Sequence, residues 1–112
     1  MRVRLLLFPS LLMAACTSAP DSGVVQGDPQ ISEGRFLANV HCSECHAITR
    51  SDASKHPDAP PLREISRNYP VIALEESLAE GIVVGHPDMP EYRFRPEDVA
   101  ALISYLESIQ TQ

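Results

Sequence analysis

Residues 40–48 read VHCSECHAI, with Cys42 and Cys45 separated by two positions and His46 directly after the second cysteine. Three chemistries compete for such a cluster. Structural zinc takes four ligands at tetrahedral geometry, usually as two pairs far apart in sequence. No second cysteine pair accompanies this one, and His56 and His86 would have to complete the set. A redox dithiol of the same spacing follows a strand in a βαβ unit, and no segment here alternates like a strand for long. Covalent haem is the third. Two thiols two residues apart add across the two vinyl groups, and the adjacent histidine lies over the iron, so Cys-x-x-Cys-His is read as a c-type haem attachment site.

Working outward, the apolar positions around this cluster repeat at helical spacing. An acidic cap at Asp28 and proline at position 29 predict a helix start, and Ile31, Gly34, Leu37, Ala38 and His41 fall near one face. Residues 49–61 hold Ser, Asp, His and three prolines and must be loop. Leu62 to Arg67 suits a short helical turn. A run from Pro70 to Gly81 places Val71, Leu74 and Leu78 on one side, with glycine as a left-handed stop. Residues 82–94 are a second irregular stretch. The last helix starts at Pro96, carries Glu97 and Asp98 where the helix dipole favours acids, and repeats Val99, Leu102, Ile103, Leu106 and Ile109. The fold class expected is all-α, three to four helices with long loops.

The N-terminus reads as a targeting segment. Arg2 and Arg4 precede an apolar run from Leu5 to Ala15, shorter than the roughly 20 residues a membrane span needs, so residues 1–15 are expected to be a secretory signal. LLMAAC, Leu11 to Cys16, resembles the lipobox of bacterial lipoproteins, with Met13 where leucine is usual. Lipidation at Cys16 would account for the odd cysteine count; ordinary cleavage near Ala19 is the alternative. Residues 16–28, rich in Ser, Pro, Gly and Asp, read as a flexible tether, which leaves 29–112 as the folded domain. Export agrees with covalent haem, which is attached outside the cytoplasm. Thr17 is not the aspartate of an inner-membrane retention signal, which leans toward the outer membrane.

An electron-carrying haem keeps both axial positions filled, and methionine raises its potential. Met1 and Met13 would leave with the signal, so Met89 remains, in the loop GHPDMP. A lone methionine is commonly core filler, but this one lies in a polar loop between prolines. His86, three residues earlier, is the rival sixth ligand. His46 and Met89 are thus the expected metal ligands, and a sensor or peroxidase-like protein with a labile distal ligand is the alternative use of the same haem.

With these residues in view, the chain resembles a class I c-type cytochrome from about Ile31 to Ile109. Gly34, eight residues before Cys42, matches the glycine that lets the first helix approach the last. CSECH matches the attachment site, Met89-Pro90 the distal ligand and its following proline. LISYL, residues 102–106, matches the last-helix pattern whose leucine and tyrosine cross over that glycine. The resemblance implies one covalent haem c and a role in carrying single electrons. It also implies that APPL, Ala59 to Leu62, supplies the carbonyl that accepts a hydrogen bond from the proximal histidine, at Pro60 or else Pro61. Many members place a tryptophan near a haem propionate. This chain has none, leaving Arg63, Tyr69, Tyr92 or Arg93 as stand-ins. Phe36, Leu37, Leu62, Leu74, Leu102 and Leu106 are expected to form the apolar shell.

The full 112-residue chain has 9 basic and 15 acidic residues; losing Arg2 and Arg4 leaves 7 against 15, a net charge of −8. Phosphate neutralisation needs a basic surface, so this balance excludes a general nucleic-acid binder. It favours redox partners with a basic docking patch. No general acid–base pair, nucleophile triad or phosphate loop is visible, so an enzyme is not expected.

Overall fold

The computed structural model describes residues 27–81 and 88–111. The expected signal, tether start, Cys16 and His86 lie outside them. The described residues contain helices and no strand. Helix α1 spans Pro29–His41, α2 Leu74–Glu80 and α3 Pro96–Ile109, with 3₁₀ segments at Leu62–Arg67 and Val71–Ala73. None is long and apolar enough to cross a membrane.

Local sequence explains each boundary. The Asp28 carboxylate accepts from the Gln30 N–H at 2.9 Å, with Pro29 in the first turn. This caps one of the amides a helix start leaves bare. The run after Pro70 does not begin as α-helix. Its first three residues form a 3₁₀ turn, and the α-helix starts at Leu74. Two of those three, Val71 and Ile72, are β-branched and poor helix formers. Gly81 ends α2 at φ 76°, a conformation costly for any residue with a Cβ. Arg95 precedes α3 and binds Asp98 of its first turn through two hydrogen bonds of 2.9 and 3.0 Å.

Helices α1 and α3 cross at Gly34. A Cβ there would lie 1.9 Å from the Ala101 carbonyl oxygen and 2.7 Å from the Tyr105 Cβ. Hydrogen at that position is therefore a requirement of the packing. The residues facing Gly34 are Ala101 and Tyr105, whereas both leucines of the LISYL segment, Leu102 and Leu106, lie in the core and on the cavity wall described below.

The core joins Leu37 and Ala38 of α1 to Leu62, Ile65, Val71 and Leu74, and to Val99, Leu102, Ile103, Leu106 and Ile109 of α3. Phe36 departs from expectation: it is 60% exposed. At 100° per residue it stands on the side of α1 opposite Gly34, so position outweighs its apolar character. The end of α3 is fastened to the first 3₁₀ segment. Gln110 donates to the Leu62 carbonyl and accepts from the Ser66 N–H, both at 2.9 Å, and the Thr111 N–H donates to the Arg63 carbonyl at 3.0 Å.

Candidate cofactor site

The turn after α1 continues the helical winding. The Cys42 N–H donates to the Ala38 carbonyl at 2.9 Å, and the Cys42 carbonyl accepts from both Cys45 and His46, at 3.1 and 2.9 Å. Residues three and four apart share a face in such winding, and Cys42, Cys45 and His46 all line one cavity. Both thiols are free. Burial, and secondarily Cys45, pushes the Cys42 thiol up to about 11, so it holds its proton at neutral pH.

The cavity has a volume of about 480 Å³, within the range of small-molecule and cofactor sites. Leu62, Ile65, Leu74, Leu78, Phe94, Leu102 and Leu106 make it apolar, and Met89, Pro90 and Tyr92 also face it. It sits in the midst of the core residues, where a small chain with few aromatics gains most from a group that serves as core. Two thiols, an imidazole and a thioether on an apolar chamber are the donor set a covalent haem requires, so the residues fit that group.

The His46 ring is oriented by Pro60, a residue of the cavity wall. Its Nδ1 lies 2.7 Å from the Pro60 carbonyl oxygen. A carbonyl only accepts, so Nδ1 carries the proton and the lone pair is on Nε2, the atom a metal would take. Pro60 is presented by a loop with its own scaffold. The N–H groups of Lys55 and His56 donate to the Cys45 carbonyl at 3.0 and 3.1 Å, and Leu62 donates to Ala47 at 2.9 Å. Within the loop, Ser54 accepts from the Ala47 N–H, and Asp52 accepts from the N–H groups of Ile48 and Thr49 and from the Thr49 hydroxyl. Desolvation pushes the Asp52 carboxyl up, but the hydrogen bonds from Thr49 and Ile48 outweigh it and hold the group below its ordinary value. The buried Tyr105 hydroxyl ties the loop to α3 by donating to the Ile48 carbonyl at 2.6 Å.

Across the cavity mouth, the segment after Met89 is held differently. Phe94 donates its N–H to Leu78 at 2.9 Å, and the Arg93 guanidinium donates twice to the Glu80 carbonyl, at 3.2 and 2.9 Å. His41 packs edge-on against Tyr92 and Phe94, at ring centroid distances of 5.3 and 5.1 Å.

Of the four propionate stand-ins, Tyr69 and Tyr92 line the cavity. Arg63 is instead committed to the Thr49 and Asp52 carbonyls and Arg93 to Glu80. Ile65 and Phe94 are walls beyond those expected from the sequence. Ile65, three residues after Leu62, carried the necessary signal; Phe94, in an irregular stretch, carried none. Among the described residues, one trio of metal-binding side chains comes together, His56, Asp58 and Asp88, and it includes neither cysteine. There the Asp58 N–H donates to His56 Nδ1 at 3.1 Å, so a neutral ring carries its proton on Nε2, toward Asp88. That arrangement pairs His56 with a carboxylate and does not offer a lone pair to a cation.

No curated protein and no solved structure gives a significant match to the chain. A family model described as Cytochrome c matches residues 31–110, a span that takes in the whole site.

Proposed function

This chain belongs to the cytochrome c family, whose members bind haem c covalently and act as electron carriers, and from that membership we propose that it shuttles single electrons between redox proteins outside the cytoplasm using a His/Met-ligated haem. The observation that carries the reading is the meeting of Cys42, Cys45, His46 and Met89 on one apolar cavity. The bound group supplies one-electron chemistry at iron. The chain supplies the rest. Cys42 and Cys45 would hold the group as thioethers and prevent its loss, and this consumes the Cys42 thiol that burial otherwise keeps protonated. His46 would be the proximal ligand, its ring fixed by the Pro60 carbonyl, which also raises its basicity. Met89 would be the distal ligand and set a higher potential than a second histidine. The leucine and isoleucine walls exclude water, which limits reorganisation around a changing charge.

Visible absorption of the purified mature protein, oxidised and reduced, with an alkaline pyridine assay, tests this reading. The expected result is a c-type haem spectrum with the weak far-red band of Met-ligated ferric iron, and loss of that band in Met89→Ala. A band that survives Met89→Ala overturns the ligand assignment and directs attention to His86. Fast carbon monoxide binding by the unmutated, reduced protein would favour the sensor or peroxidase alternative.

The proposal extends to location. Residues 1–15 would be removed on export, and Cys16 would carry a lipid anchor confining the domain to a membrane surface, which raises its effective concentration near membrane-bound partners. Mass spectrometry of the mature N-terminus should find a lipidated Cys16; an unmodified start beyond it removes the anchor.

A further inference from the structure

Position 36 is where expectation and structure part most clearly, and its surroundings explain the exposure. Helix α1 turns a stripe outward at spacings of three, four and four residues: Glu33, Phe36, Val40 and, in the turn just beyond, Glu44. Phe36 is 60% exposed and Val40 51%, while Glu33 and Glu44 are also exposed. Phe36 thus stands in water one turn from Val40 at the cavity's border, with a carboxylate at each end of the pair. Val40 and Glu44 also line the cavity, so the stripe runs up to the cofactor chamber. Isolated exposed apolar residues need no explanation. An apolar pair framed by acids and continuous with a functional cavity is a recognition surface in miniature, with an apolar centre and a charged rim.

We infer that the Glu33–Phe36–Val40–Glu44 stripe is the docking face for a redox protein that presents an apolar contact flanked by basic side chains. This rests on the electron-carrier reading and specifies where its partner sits. Charge selects the occupant. Among the described residues, Lys55 lies 3.9 Å from Glu44 across exposed side chains, Arg95 is held by Asp98 and Glu97, and Arg35, exposed on the same helix, stands about 200° around it from Glu33, off the stripe. A second copy would set acids against acids within a chain of net negative charge, and an anionic lipid surface would repel the same carboxylates. A partner seated on Val40 lies directly against the cavity wall, where the path for an electron is short.

The test uses the holoprotein and a soluble cytochrome whose exposed face is rich in lysine as probe. Electron-transfer rates are measured by stopped flow at low and high salt. Phe36→Ser should slow transfer by about five-fold at both salt concentrations, as loss of an interface anchor does. Glu33→Lys should slow it at low salt, with the difference vanishing at high salt as screening removes the charge term. Ile72→Ser, at a 52% exposed apolar position off the stripe, should leave the rate unchanged. Absorption spectra and midpoint potentials should match those of the unmutated protein in all three, which excludes an effect through the cavity.

An unchanged rate in Phe36→Ser, or an equal loss in Ile72→Ser, overturns the docking face. So does self-association of the unmutated protein that Phe36→Ser abolishes, or its binding to phosphatidylglycerol vesicles through Phe36. Transfer with hexaammineruthenium but not with the basic cytochrome overturns the docking face and leaves the carrier reading intact. Transfer with neither overturns both.

Discussion

The two segments that close the cavity are built on different principles. From Cys45 to Leu62 the chain binds itself with backbone hydrogen bonds, the Asp52 and Ser54 side chains, and the buried Tyr105 hydroxyl. From Asp88 to Phe94, among the described residues, the chain is held by one backbone hydrogen bond, the Arg93 guanidinium, the contact of Asp88 with His56, and the stacked Tyr92 and Phe94 rings that meet His41 edge-on. The first segment carries His46, the proximal ligand proposed above, whose ring must not turn. The second carries Met89, a long unbranched side chain that tolerates small movements of its backbone. Rigidity has gone to the side where orientation matters, and the distal side is left closer to the low-stability end of the molecule.

That contrast can be removed at its foundation. Both segments hang from the α1–α3 crossing, and Gly34→Ala should destabilise the protein by about 3 kcal/mol or more, because a methyl group cannot share the space of the Ala101 carbonyl; chemical denaturation reads this directly. Hydrogen exchange sharpens the contrast in the intact protein. The amides of Ala47, Ile48 and Leu62 should exchange at least about 100-fold more slowly than those of Glu91 and Tyr92, and equal rates would erase the distinction. A smaller loss follows from Tyr105→Phe. It leaves the buried Ile48 carbonyl without its donor and should cost about 2 kcal/mol.

The smallest effect concerns Asp52. Its folded-state carboxyl titrates below its unfolded value, so it stabilises the fold above about pH 4 and that contribution is lost as pH falls through the depressed folded value. Asp52→Asn should cost about 1 kcal/mol at pH 7 and flatten the acid limb of a stability–pH curve. An acid limb as steep as in the unmutated protein would take Asp52 out of the knot.

Which parts of this were legible in the sequence follows from how each is encoded. Asp28-Pro29, Gly81 and Pro96 act through their own backbone chemistry, so the helix boundaries stood in the text. The cluster at 42–46 is local, and its role follows from spacing. The 47–62 knot is different. Thr49 and Asp52 are ordinary loop residues until the chain folds back, although a short polar side chain three residues after another is the pattern of a local side-chain-to-backbone turn. Arg63 looked like a cation for the cofactor because its competing acceptors, the carbonyls of Thr49 and Asp52, are set by tertiary structure. Phe36 reads as core by residue type alone, while its helical phase relative to Gly34 places it outside.

The crossing at Gly34 also sets an order of events. Helix α1 comes near the beginning of the described chain and α3 at its end, and neither face is covered until they meet. Contacts so remote in sequence form late, after the loop between them has been closed. A chain still being made or moved therefore stays open until its last fourteen-residue helix arrives. During that interval Cys42 and Cys45, half-exposed even in the finished fold, are open to whatever chemistry must find them.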